Sequence, residues 1–389
     1  MKRFLIVMTL VAVVSDYLLH PFYPQFFEVR FGITDPDKVG YYFAAICFMV
    51  MLSFPFWALI AKKVAELHIL VYTQCIAGIL ALCCYSTTSY INFWIISLIM
   101  ILFKGSYLLV YPCILKISTK NEHPKTIALL SVVVHLGGVL GAVIGGVTVD
   151  FIDASYIFII MALGDFVQMG MSAYLLKTKK YVASKNIEEP TKNNIPDKLF
   201  PKGFVLKIGV TTLVLYASGF ITRPFFSSYW EYVSIYDSKL VSGSIYAIPA
   251  VVALLVLWWD AIKKKKTNSG IIIPLCIGIV GLWIQGVPVS GIVILGRILY
   301  GWAVFRAIVR FDVLLFEHST PESYALDYSK VHFFQNLGVL MASFSVGILV
   351  DHYGLQIPFT IAWIGFAVTL GLFLIFFKTT IKKIILKTT

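Results

Sequence analysis

Apolar residues fall along this chain in long unbroken runs, with neither the alternation of a half-buried strand nor the one-sided stripe of a surface helix. Twelve runs are read, at 4–27, 39–61, 68–86, 91–116, 126–149, 155–176, 204–229, 241–262, 271–288, 291–316, 331–350 and 357–377. Each is close to the ~20 residues a helix needs to cross the hydrocarbon of a bilayer. Lipid offers a backbone no hydrogen-bond partner, so such runs must be helical. The pattern predicts an all-α polytopic membrane protein with twelve transmembrane helices.

The breaks between runs alternate in charge. Lys2 and Arg3 precede the first run, Lys62 and Lys63 follow the second, and Lys116, Lys120 and Lys125 follow the fourth. Seven lysines and three prolines occupy 177–202, four lysines fill 263–266, and Lys378, Lys382, Lys383 and Lys387 close the chain. The other breaks hold Arg30, Lys38 and Lys239. Cations stay in the cytoplasm, so both termini and the central linker are expected there, in a cell inner (cytoplasmic) membrane protein. The N-terminus has a basic start and an apolar run, but no small-residue cleavage site, and Asp16 lies inside the run. It is read as the first span and not as a signal peptide.

Composition agrees: 59% of the 389 residues are hydrophobic and 13% charged. The net charge of +12 reflects lysines spread over loops, not a basic face, so nucleic acid is not an expected partner. The cysteines, Cys47, Cys75, Cys83, Cys84, Cys113 and Cys276, lie within spans and lack metal-ligand spacing. No metal or cofactor is expected.

The linker 177–203 divides the chain into 1–176 and 204–378, with a basic tail at 379–389. Gly138-Val139-Leu140 returns as Gly338-Val339-Leu340, and Val149-Asp150 as Val350-Asp351. These echoes, about 200 residues apart, predict two six-helix bundles arising by duplication, a design suited to rocking about a site between them.

Twelve spans, a six-plus-six division, a basic central loop and cytoplasmic termini resemble the major facilitator superfamily of secondary transporters. The glycine-rich run of span five, Gly137-Gly138-Val139-Leu140-Gly141-Ala142-Val143-Ile144-Gly145-Gly146, is similar to the motif of that helix in proton-driven exporters, with Ala142 where proline is usual. It reads equally as plain helix packing through small residues. Arg297 and Gly301 resemble the Arg-x-x-x-Gly of the family's fourth helix; in span four itself only Gly105 is kept, with Ile101 in the arginine position. The loop after span two, 57–65, keeps a leucine and two cations of the family's gating motif and lacks its acidic residue. The resemblance implies that helices one, four, seven and ten line a central cavity.

Ionisable groups at membrane depth are costly and mark function. In span one, Asp16, His20 and Tyr23 are spaced to share a helical face, and Asp16 with His20 is the candidate proton-coupling pair. Lys104, Tyr107 and Tyr111 share a face of span four; Thr212, Tyr216 and Arg223 share one in span seven, with Gly219 between. In span ten, Arg297 goes with Tyr300 and Gly301, while Arg306 points oppositely. Arg306 is either a ligand or the partner of a carboxylate such as Asp165. Trp230 and Glu231 read as an outer interface anchor. The expected substrate-binding set is Lys104, Tyr107, Tyr111, Tyr216, Arg223, Arg297, Tyr300 and Arg306.

One deep carboxylate, Asp16, against Lys104, Arg223 and Arg297 favours a small organic anion: a carboxylate metabolite or a carboxylate-type siderophore. No Gly-x-x-x-x-Gly-Lys-Ser/Thr occurs, so an ion gradient, here protons, is the expected driving force for alternating access. The alternative is a proton-antiport multidrug or metabolite exporter, which the span-five glycines favour and the cation excess opposes. An enzyme would need a denser catalytic cluster. A monomer in the lipid bilayer is expected.

Overall fold

The computed structural model describes residues 2–61, 63–116, 123–178, 203–236, 238–263, 270–318 and 324–377. Nearly all of the expected linker and the whole of the basic tail lie outside them. The chain opens with α1 (Lys2–Tyr17), turns through 18–22, and continues as α2 (Tyr23–Phe31). Then come α3 (Pro36–Ile60), α4 (Glu66–Ser86) and α5 (Tyr90–Lys104), which tightens into a 3-10 stretch (Gly105–Leu109) before α6 (Val110–Lys116). Helices α7 (His123–Phe151) and α8 (Tyr156–Lys177) complete the first half. The second half begins with α9 (Phe204–Phe220), turns through 221–225 into α10 (Phe226–Val233), and runs through α11 (Lys239–Lys263), α12 (Ile272–Gln285), α13 (Ser290–His318), α14 (Tyr324–Tyr353) and α15 (Ile357–Phe376). No strand forms among the described residues.

Nine helices among the described residues are long and apolar enough to cross a membrane. The three other expected spans are the first and seventh, which the chain breaks, and the ninth, which is the 14-residue α12. Spans one, four and seven are therefore not the continuous helices expected. In span one, Pro21 and Pro24 have no N–H for the carbonyls of Tyr17 and His20, and Phe22 N–H closes a tighter turn on Leu19 O at 2.8 Å. In span seven Pro224 does the same, and Arg223 N–H turns back to Phe220 O at 2.8 Å. The two breaks are equivalent. His20-Pro21-Phe22 and Arg223-Pro224-Phe225 stand 203 residues apart, as do the starts of α2 and α10.

The 3-10 stretch of span four leaves backbone carbonyls in need of donors, and neighbouring helices supply them. Ser53 Oγ and Trp57 Nε1 donate to Leu102 O at 2.9 and 2.7 Å. Gln74 Nε2 donates to Lys104 O at 3.3 Å. The irregular backbone is thereby buried in protein, as a bilayer requires.

Within the first half, α4 packs on α8, and α1 on α7 and α8; within the second, α9 packs on α14 and α15, and α12 on α13 and α15. Across the halves, α3 meets α14 and α7 meets α11. The closest backbone approaches of these crossing pairs, Gly40 to Gly347, Gly146 to Leu240 and Gly243 to Ala142, lie toward the face opposite Lys2, called distal below. There the Asp150 carboxylate accepts hydrogen bonds from Ser238 Oγ, Lys239 N and Leu240 N, each at 2.7 Å, capping α11 from the other half. Gln25 Nε2 donates to Glu231 at 3.0 Å, and Lys239 lies 3.2 Å from the same carboxylate. Glu231 is thus part of an inter-half network, and Trp230 is buried instead of sitting in an interfacial belt.

Candidate functional site

Two cavities open beside the paired breaks. The first, about 250 Å³, is lined by Asp16, His20 and Tyr23 of the first span, by Phe43, Cys47 and Met51 of α3, and by Lys104, Tyr107 and Leu108 of span four, with Phe220 and Asn336 closing it from the other half. The second, about 320 Å³, is lined by Tyr17, His135, Arg223, Tyr246 and Pro249, and by one face of α13 carrying Arg297, Tyr300, Gly301, Ile308 and Asp312. The wall between them is aromatic. His20 stacks on Tyr17 at 5.7 Å, meets Phe220 edge-on at 5.9 Å, and is hydrogen-bonded through Nδ1 to the Tyr246 hydroxyl at 3.1 Å.

In the first cavity Lys104 is almost fully buried, and its Nζ lies 3.6 Å from Asp16 and 3.8 Å from Asp165. A buried cation is tolerated when carboxylates face it, and here α1 and α8 each supply one. The Tyr107 hydroxyl is turned to the Asp16 carboxylate. Tyr111 lies beyond the cavity, packed against the cluster of Leu5, Met8 and Leu67. Two expectations are corrected. Asp16 faces Lys104, not His20, because α1 ends at Tyr17 and the one-turn spacing no longer holds. Asp165 is a partner of Lys104, not of Arg306.

Arg306 forms a two-pronged ion pair with Asp260 of α11, at 2.7 and 2.8 Å. Neither residue lines either cavity. The geometry fits carboxylate to guanidinium through two parallel bonds, so this arginine is engaged within the protein.

The second cavity holds two arginines in different situations. Arg297 is buried by its own helix neighbours and by α11. Pro249 leaves the Ile245 carbonyl without its helical donor, and Arg297 Nε takes it at 3.4 Å while Nη2 bonds the Tyr246 carbonyl. The guanidinium also lies over the Phe226 ring, 4.1 Å from its centroid, a favourable cation–π distance. Arg297 thus braces the α11 kink, against which Gly301 packs. Arg223 sits in the span-seven break beside Phe220, with the ring centroid 5.6 Å away. Tyr17, Tyr216, Tyr246 and Tyr300 surround it. Among the described residues no carboxylate pairs with it. Since α9 ends at Phe220, it leaves the helical face shared by Thr212 and Tyr216. Tyr300 donates its hydroxyl hydrogen to Gly219 O at 3.2 Å, tying α13 to α9 beside the break.

Asp312 is the site residue that the sequence reading passed over. It lines the second cavity and has no hydrogen-bond or ion-pair partner among the described residues. The signal was available: Asp312 follows Gly301 by eleven residues, three helical turns, and so shares its face. The expected cation excess is corrected accordingly. Asp16, Asp165 and Asp312 stand against Lys104, Arg223 and Arg297. The glycines of span five build the walls: Gly137, Gly138, Gly141 and Gly145 let α7 approach α1 at Val13, Val14, Tyr17 and Leu18, and Gly146 meets α11.

Two packed helical halves, equivalent breaks in spans one and seven, and cavities that hold ionisable side chains between the halves fit a solute transporter. The sequence matches the Major Facilitator Superfamily model over residues 5–309, and the chain belongs to that family, whose members are transporters and not enzymes. Among solved structures it is similar to the nucleoside transporter NupG (14% identity, 97% of this chain and 99% of that one, TM-score 0.73). It is also similar to a bacterial homolog of the human lysosomal transporter Spinster in an inward-facing, occupied conformation (11%, 96% and 95%, TM-score 0.76), and to the human organic anion transporter MFSD10 (13%, 95% and 98%, TM-score 0.68). At these identities the likeness is one of fold. Among curated proteins no sequence relative is found.

Proposed function

We propose that this transporter moves small solutes bearing an anionic group, by proton-coupled alternating access, with both termini in the cytoplasm. The observation that carries the reading is Arg223: a guanidinium held in a helix break, facing a cavity, ringed by tyrosines and, among the described residues, without a carboxylate of its own. A buried charge left unpaired by the protein is stabilised by what enters the cavity. The loop lysines support a cytoplasmic N-terminal face. On that orientation, the contacts between the halves at the distal face support an inward-facing conformation. Asp16, Lys104 and Asp165 carry one net negative charge when all are ionised. A proton taken up there would neutralise the cluster and favour its occlusion.

Thermal stabilisation of the purified protein by mono-, di- and tricarboxylates, ferric carboxylate siderophores and lipophilic cations tests the substrate class. A ligand at ~100 times its Kd adds about 2.7 kcal/mol to the native state. Arg223→Gln should weaken an anion hit about 100-fold, as expected when one partner of a desolvated charge pair is removed. Stabilisation by lipophilic cations alone would refute the anion reading and favour an exporter. In proteoliposomes, Asp16→Asn should keep solute exchange and lose proton-driven accumulation; retained accumulation would remove Asp16 from coupling.

A further inference from the structure

The second cavity is charged at both ends, and its two free charges do not meet. Arg223 lies at the end formed by the span-seven break, beside Tyr300. Asp312 also lines the cavity from α13, on the face of Gly301, eleven residues further on, about 16 Å along the helix axis at 1.5 Å per residue. Tyr216 lies between, with both charges in its surroundings. The other cation lining the cavity, Arg297, is engaged by the carbonyls of Ile245 and Tyr246, and Arg306 outside it by Asp260. Asp312 keeps access to the cavity, and among the described residues nothing compensates its charge. A carboxylate removed from bulk water needs a cation or donors to remain there.

We propose that this cavity is a two-ended site, in which Arg223 takes an anionic group and Asp312 a protonated amine, so that the transported solute is an elongated zwitterion. The inference rests on the anion reading of Arg223 and narrows it. It makes Asp312 a specificity residue: it rewards a molecule whose second group is cationic and whose length spans the cavity, and it repels a dicarboxylate of the same length. Compact anions would leave Asp312 uncompensated and bind more weakly.

The probes are ω-amino carboxylates from β-alanine through 6-aminohexanoate to 12-aminododecanoate, each beside the monocarboxylate, dicarboxylate and alkylamine of matched length. Binding to the detergent-purified full chain is read as thermal stabilisation over a concentration series. At one length or a narrow range, the amino carboxylate should bind about tenfold tighter than the matched monocarboxylate, the gain expected of one added charge-assisted contact. Asp312→Asn should bring that ratio to about one, and Asp312→Glu should move the preferred length down by a methylene group. Arg223→Gln should weaken every carboxylate in the series. Equal binding of amino and plain carboxylates at all lengths, or a ratio that survives Asp312→Asn, overturns the two-ended site and leaves the anion reading standing. Stabilisation by alkylamines alone overturns both.

Discussion

The Asp150 carboxylate gives the molecule a contact whose worth can be worked out and measured. It belongs to α7 of the first half, yet it caps α11 of the second, accepting from Ser238 Oγ, Lys239 N and Leu240 N at 2.7 Å each. The first N–H groups of a helix have no partner within it. Removing a side-chain N-cap costs about 1 kcal/mol. The negative charge at the positive end of the helix dipole adds about 0.3–1 kcal/mol, and up to ~2 where partly buried. Because the contact joins the halves, the whole sum of about 2–3 kcal/mol favours the conformation closed at the distal face. Asp150→Ala should therefore shift the equilibrium toward distal opening by roughly 30- to 150-fold. Spin labels at Val29 and Ile235, both exposed on the distal side, report the separation of the halves by double electron–electron resonance in a cysteine-free background. The Asp150→Ala distribution should move to longer distances, with Asp150→Asn between it and the parent. Asp351 is the control. It occupies the echoed position at the end of α14, is exposed, and has only His352 at 3.5 Å as an ion partner among the described residues. An Asp150→Ala distribution indistinguishable from that of Asp351→Ala would refute the reasoning.

Three further outcomes follow from the packing. Gly145→Ala drives a methyl group into the Leu18 carbonyl and should destabilise the α1–α7 contact by about 1–3 kcal/mol, whereas Gly371→Ala meets open space and should be neutral or mildly stabilising; thermal unfolding in detergent compares them. Breaking the Arg306–Asp260 pair by Arg306→Ala should cost about 1–2 kcal/mol, discounted for partial exposure, and leave ligand-induced stabilisation intact; lost ligand response would return Arg306 to the site. Arg297→Gln should cost less in a Pro249→Ala background than in the parent, because replacing the proline restores a backbone N–H for the Ile245 carbonyl; a double-mutant cycle with no coupling would show that Arg297 is not bracing the kink.

Hydropathy and loop charge carried the fold, because a bilayer imposes length and helicity on each crossing segment whatever the packing. Span boundaries mostly agree to a few residues. The breaks were only half legible. Pro21 and Pro24 mark a loosened outer end of span one in the sequence, and Pro224 went unread within its run, although His20-Pro21-Phe22 and Arg223-Pro224-Phe225 form a further echo beside those used to infer the duplication. Helical spacing then misled at both breaks. It joined Asp16 to His20 across a turn that is not helical, and placed Arg223 on the face of Tyr216. Partner choice was not legible at all. Whether Lys104 or Arg306 would be neutralised depends on which residues of α8 and α11 face them, and that is set by helix rotation. Pattern along one helix carries no information about the rotation of its neighbour.

The two halves hold their charges differently at equivalent breaks. His20 and Arg223 occupy the same turn of the same proline break, one ending as an imidazole bonded to Tyr246 and the other as a permanent cation. Around His20, the first half closes its ionisable groups on one another, with Lys104 between Asp16 and Asp165. Around Arg223, the second half leaves Arg223 and Asp312 facing the cavity without an ion partner among the described residues. A cluster of closely facing charges with one carboxylate in excess responds to the gain or loss of one proton, since that proton changes its net charge without leaving any group wholly unpaired. Separated, uncompensated charges respond to a ligand that supplies the missing partners. On the proposed reading the first half is thus suited to coupling and the second to recognition, and the His20–Tyr246 bond joins the wall of one cavity to the wall of the other. Tyr246→Phe should then keep solute binding near the parent value and weaken its dependence on pH, whereas a purely structural role for the hydroxyl would lower stability and leave the pH profile of binding unchanged.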